Sequence, residues 1–221
     1  MARRSADPAL VMTPVRWLAL ACFGLALLIA VPPLLEHADG SDVPLLWYAG
    51  RATGFTAYFA LWASMFTGSL VSARGVEGLL SRKWLIDFHQ QWSLAALVSV
   101  VVHVVVLVAH TFSDITLAGA LVPYASGVMR VPIALGTVSL WGLVAIAGSS
   151  WLRARIPYAW WRAVHALAFG TAILAFAHAL QAGSDTLAWP VRLLYASTAA
   201  LTVGAVVARF LVAAGRRGRR A

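Results

Sequence analysis

The stretch DFHQQWSLAALVSVVVH, Asp87 to His103, decides how this chain is read. It leaves a polar start, runs through apolar and small residues, and closes on a second histidine deep in a segment apolar enough to lie in lipid. The apolar stretch around it extends over about 84 to 112. A helix needs about 20 apolar residues to cross roughly 30 Å of hydrocarbon, and this one has them. Ionisable groups cost free energy at that depth, so two histidines there are functional candidates by default.

The rest of the chain repeats the pattern. It has 221 residues, of which 61% are hydrophobic and 11% charged, against roughly 25% charged in soluble domains. Six apolar runs are predicted to span a membrane, at about 15 to 35, 47 to 72, 84 to 112, 131 to 151, 158 to 182 and 189 to 213. Pro32-Pro33, the segment from Arg74 to Lys83, that from Asp114 to Arg130, that from Arg153 to Pro157 and that from Gly183 to Pro190 separate them. The expected fold is therefore all-α, a polytopic six-helix bundle over residues 15–213. A cytoplasmic tail is expected at 1–14 and a basic one at 214–221.

The net charge of +9 marks topology rather than nucleic-acid binding. Arg3, Arg4 and Arg16, then Arg74, Arg82 and Lys83, then Arg153, Arg155 and Arg162, then Arg209 and the terminal arginines fall on one side of the predicted bundle. Arg51, Arg130 and Arg192 fall on the other, beside Glu36, Asp39, Asp42, Asp114 and Asp185. By the positive-inside rule both termini are cytoplasmic, in a bacterial-type cytoplasmic membrane, with lipids as the standing partners. The first run follows Arg3-Arg4 but ends in Pro-Pro-Leu-Leu-Glu without a small-residue cleavage site, and reads as a retained helix. Cys22 is the single cysteine, which excludes an internal disulfide, an iron-sulfur cluster held by this chain alone and covalent haem attachment. No glycine-rich nucleotide fingerprint or P-loop is present. Gly50-Arg51-Ala52-Thr53-Gly54 matches the small-xxx-small pattern of close helix packing, a weak signal.

Four of the six histidines lie within predicted spans: His89 and His103 on the third, His165 and His178 on the fifth. The step from His89 to His103 rises about 21 Å and ends about 40° short of four full turns, so both imidazoles share a face. The step from His165 to His178 rises about 20 Å, and both spans run from cytoplasm to outside. Depth pairs His89 with His165 toward the cytoplasm and His103 with His178 toward the outside. Two imidazoles on opposite sides of a flat ring are the ligands of a six-coordinate b-type haem, and bundle cores house such sites. Two stacked haems between the third and fifth helices would cross most of the bilayer. One detail resists: 13 residues fall about 140° short of four turns, so the fifth helix needs tilt or a distortion near Gly170.

These residues resemble the ferric reductase-like transmembrane domain family, which includes the membrane cores of ferric reductases and NADPH oxidases and the haem-binding subunit of a bacterial methionine sulfoxide reductase system. The resemblance covers roughly residues 47–182. It rests on the His-x13-His and His-x12-His arrangements and on GRATGFTAY, Gly50 to Tyr58. It implies that the four matching histidines ligate two haem irons, His89 and His165 the inner one, His103 and His178 the outer. It also implies an oxidoreductase or the electron-transfer subunit of one. The larger members continue into flavin and nicotinamide domains, whereas this sequence closes on Arg-Arg-Gly-Arg-Arg-Ala. The expected donor is a quinol or a separate flavoprotein, and the expected acceptor lies outside: ferric iron, oxygen or a periplasmic redox partner. A quinone is a possible further cofactor.

Arg51 and Arg130 oppose the positive-inside rule and are candidates to meet the propionates of the outer haem. His110, His37 and Asp87 fit interfacial or loop positions. Trp92, Trp160, Trp161, Phe169 and Phe176 fit either haem contact or ordinary packing. The rival readings are a transporter that uses intramembrane histidines for protons or metal ions, and a haem-bearing structural subunit of a larger complex.

Overall fold

The computed structural model describes residues 45–73, 81–110 and 113–218, with side chains through 208. The first predicted span, Cys22, His37 and the extreme C-terminus lie outside the described residues. Those described are helical, with no strand: α1 (Leu45–Ala73), α2 (Arg82–Ala109), a short α3 (Leu117–Leu121), α4 (Arg130–Trp151), α5 (Tyr158–Ala166), α6 (Ala168–Ala182) and α7 (Trp189–Gly218).

Four segments are long and apolar enough to cross a membrane: Arg82–Ala109, Arg130–Trp151, Tyr158–Ala182 and Trp189–Ala208. The chain is a multi-pass membrane protein. Helix α1 has the length, at 29 residues, but is not among these four. Boundaries follow local chemistry. The Ser81 side chain caps α2 by accepting from the Trp84 N–H at 3.2 Å. Thr116 caps α3 by accepting from Gly119. That short helix falls in the segment expected to be a plain connection, and it is tied to α4 by Thr137 Oγ1 donating to the Ala120 carbonyl and Trp141 Nε1 donating to that of Leu121.

Small residues fill the interior. Ala57, Ala60, Ala63, Ala96, Ser64, Thr67, Ser99, Thr137, Ser139 and Thr171 are buried, whereas Trp151, Ile173 and Leu201 point outward. In water that distribution would be unstable. In lipid it is the expected one, because acyl chains solvate large apolar side chains and helices gain by approaching closely over small ones. Gly142 is one such approach: a Cβ there would run into the side chain of Thr171 on α6. The Thr171 carbonyl in turn accepts from Ser139 Oγ of α4 at 3.0 Å.

The predicted fifth span is a single run interrupted once. Helix α5 ends at Ala166 and α6 starts at Ala168. Between them the Leu167 N–H bonds the Val164 carbonyl at 3.0 Å, a step of three residues rather than four. A three-residue turn rotates about 120° per residue instead of 100°. Each tightened residue therefore recovers about 20° of the shortfall between His165 and His178. The expected distortion exists, three residues ahead of Gly170.

Candidate functional site

Of the two pairs expected from depth, His89 and His165 lie side by side. The rings of His89 on α2 and His165 on α5 lie 6.1 Å apart between centroids, at 78° to one another. His103 stands on α2 and His178 on α6, each against a glycine of a neighbouring helix, Gly54 and Gly136.

Three of the four imidazoles are held in the same way. His103 Nδ1 lies 2.9 Å from the Gly50 carbonyl oxygen, His89 Nδ1 2.8 Å from that of Ser64, and His178 Nδ1 2.8 Å from that of Pro132. A carbonyl oxygen only accepts, so Nδ1 carries the proton and donates in each case. Hydroxyls stand beside two of them, Thr53 Oγ1 at 3.4 Å from His103 and Ser64 Oγ at 3.3 Å from His89. Ser64 Oγ also bonds Ser93 Oγ at 2.7 Å, and Ser93 donates to the His89 carbonyl. With Nδ1 committed, Nε2 is left as a neutral lone-pair donor, the form in which histidine binds a metal.

His165 is different. Its Nδ1 is buried and has no hydrogen-bond partner among the described residues. Its ring stacks on the indole of Trp161, 5.0 Å away at 24°. That indole is itself held by the Arg153 guanidinium, 4.7 Å from its centre, and by its Nε1 donating to Ser150 Oγ at 3.4 Å.

The donor set fits a haem better than a bare ion. Among the described residues, no group of three or more His, Cys, Asp or Glu could hold a metal, whereas a protein-bound ion such as zinc takes about four ligands. A haem brings ring nitrogens of its own and would ask the protein for two more ligands. His89 and His165, with ring centroids 6.1 Å apart, are residues that would supply them.

The outer cations take separate positions. Arg51, expected to meet a carboxylate of the cofactor, meets one of the chain: it forms an ion pair with Asp185 in the α6–α7 connection, with Nε donating at 2.6 Å. Its guanidinium also lies over the Trp47 ring, 4.1 Å from the centre. Arg130 donates from Nε and Nη2 to the Tyr124 carbonyl at 3.4 and 3.3 Å. It is exposed and follows Met129, whose left-handed φ of 43° turns the chain into α4. His110 caps the end of α2. Trp160 is exposed, Trp92 packs against Phe59 and Phe88, and Phe176 packs with Tyr58 and Tyr195.

Sequence reasoning missed the acceptor carbonyls and the glycines beside them. A Cβ on Gly54 would stand 3.0 Å from His103 Cε1, one on Gly68 3.0 Å from His89 Cε1, and one on Gly136 2.8 Å from His178 Nδ1. The Gly50-xxx-Gly54 signal, read as helix packing, marks one of these places; Ser64-xxx-Gly68 and Pro132-xxx-Gly136 share its spacing.

No curated protein and no solved structure matches the chain. A family model does: that of the ferric reductase like transmembrane component matches residues 53–176. This is more than half of the chain, and it takes in His89, His103 and His165 and ends two residues before His178.

Proposed function

The chain belongs to the ferric reductase-like transmembrane family, and from that membership, the adjacent His89 and His165 and the four intrahelical histidines we propose that it carries electrons across a membrane through two b-type haems. The carrying observation is that His89, His103 and His178 each spend Nδ1 on a backbone carbonyl, which leaves Nε2 to a ligand, and that His89 stands beside a second imidazole, that of His165. In this reading His89 and His165 hold the inner haem, and His103 and His178 the outer.

When bound, haem would supply one-electron chemistry at its iron, and the imidazoles of His89, His165, His103 and His178 would be the residues that hold it. The chain's own part is to position and to exclude. Carbonyl hydrogen bonds hold the rings against rotation and raise their donor strength. The small-residue interior and the apolar exterior keep water from the site, so the surroundings set the potential. The two ligand levels are separated by about 21 Å along α2 and about 20 Å along the α5–α6 run. No acid, base or nucleophile is required of the protein.

The full architecture proposed is six spans with both termini on the cytoplasmic side. The electron donor is a quinol or a separate flavoprotein, and the acceptor is extracytoplasmic: ferric iron, oxygen or a redox partner. Arg130, engaged by a carbonyl alone, is the cation readiest to meet an outer propionate. Arg51 reaches one in exchange for Asp185. Purified protein tests the reading: reduced-minus-oxidised spectra should show a b-type α-band, with two haems per chain by extraction. A colourless chain that moves protons or metal ions would instead establish the transporter reading.

A further inference from the structure

The hydrogen bonds and the glycines of the site obey one rule. In each of three cases the imidazole donates to the carbonyl at position j−4 of a neighbouring helix while its ring lies against a glycine at j. The pairs are Gly50 and Gly54 for His103, Ser64 and Gly68 for His89, and Pro132 and Gly136 for His178. One helical turn separates the two positions, so carbonyl and glycine lie on the same face, one above the other. At Gly54 and Gly68 the ring edge nearest the backbone is Cε1–Nδ1, and Nε2 stands further off, at 3.7 and 3.8 Å from the built Cβ. At Gly136 the three nearest atoms are Nδ1, Cε1 and Cγ. The glycine removes the methyl group that would push the ring off its acceptor.

We infer that Gly54, Gly68 and Gly136 are imidazole seats that fix the tautomer and orientation of His103, His89 and His178, and that the indole of Trp161 takes over this positioning role for His165. The seats are a property of the chain itself; their effect on cofactors rests on the haem-ligand reading. The two levels are thereby inequivalent. Both outer imidazoles are carbonyl-held, whereas the inner level pairs one carbonyl-held ring with one held by stacking. Donation from the second ring nitrogen raises a ligand's basicity. The inner level is therefore tuned through Gly68 and Trp161, the outer through Gly54 and Gly136.

The test uses the full chain with haem bound, comparing Gly54→Ala, Gly136→Ala, Gly68→Ala and Trp161→Leu with Gly142→Ala as a packing control away from the imidazoles. Potentiometric titration and low-temperature electron paramagnetic resonance resolve the two haems. Gly54→Ala and Gly136→Ala should shift or abolish the same one of the two signals, and Gly68→Ala and Trp161→Leu the other. Wild-type signals in all four, or equal damage to both haems in the seat variants and Gly142→Ala alike, would overturn the inference. A second measurement needs no haem: nitrogen-15 spectra of the histidine-labelled apo chain should show His89, His103 and His178 protonated at Nδ1, and protonation at Nε2 would refute the seats. Haem-free protein with the three Nδ1 tautomers would keep the seats and remove the electron-transfer reading. A di-haem protein with silent seat variants would do the reverse.

Discussion

His178 reaches across from α6 to donate Nδ1–H to the carbonyl oxygen of Pro132 on α4, at 2.8 Å, with Gly136 one turn further along against the same ring. The bond joins residues 46 apart in sequence. It ties His178 to a helix that carries no histidine of its own, so α4 acts on the ring through its backbone.

The pairing of ligands predicts how haem is lost. His103→Ala and His178→Ala should each remove the same haem and leave the other, because each level has two protein ligands and loses one. Pyridine haemochrome assay would then read half the wild-type haem per chain. If His103→Ala and His165→Ala behaved as the matched pair, the depth assignment would be wrong.

Glycines that look alike in sequence should respond in opposite directions to alanine. Gly148, Gly170 and Gly204 face open space, so nothing stands in the way of a Cβ. Alanine there should stabilise α4, α6 or α7 by about 0.5–1 kcal/mol through helix propensity. Gly136→Ala should destabilise by about 1–3 kcal/mol, the range for overpacking, because its Cβ would lie 2.8 Å from a ring already held by a hydrogen bond. Thermal unfolding in one detergent ranks all four variants.

The contact between α4 and α6 offers a rescue experiment. Gly142→Ala drives a methyl group into the Thr171 side chain and should cost about 1–3 kcal/mol. Removing Thr171 Oγ1 and Cγ2 by Thr171→Ala in the same chain makes room. The double variant should therefore recover most of the loss, and additive damage from the two changes would contradict the close approach.

The Arg51–Asp185 ion pair should contribute little to stability. Both side chains are about a quarter to a third exposed, 30% and 24%, and pairs open to solvent contribute about 0–1 kcal/mol, less at high salt. A double-mutant cycle with Arg51→Gln and Asp185→Asn should give a coupling inside that range. If Arg51 instead left Asp185 for an outer propionate, Arg51→Gln and Asp185→Asn would shift the outer haem's potential in opposite directions, the first removing that cation and the second releasing it.

Much of the architecture was legible in one dimension. The apolar runs at 47 to 72, 84 to 112, 131 to 151 and 189 to 213 reappear as α1, α2, α4 and α7 within a few residues. Membrane thickness and the rise of a helix set those lengths, and both act on local composition. The nearness of His89 and His165 was legible for the same reason, since their positions along the two spans follow from helical rise. The α5–α6 break was legible only as one of two possibilities: the phase error of 13 residues called for tilt or a distortion near Gly170, and the helices part at Leu167.

What tertiary structure alone decided is how the imidazoles are held. A backbone carbonyl is the same group in every residue, so no letter marks Gly50, Ser64 or Pro132 as an acceptor, and the histidines they serve lie 53, 25 and 46 residues away. A glycine reads as flexibility or close helix packing until a ring is found against it. Arg51 likewise read as a free outer cation until folding brought Asp185 to it from 134 positions along the chain. The sequence by itself determined which segments form long apolar helices and how far apart His89 and His103, and His165 and His178, stand along them, because hydropathy and helical rise are local. Which nitrogen each histidine offers, and what holds the ring while it does so, depend on long-range contacts that only the packed helices create.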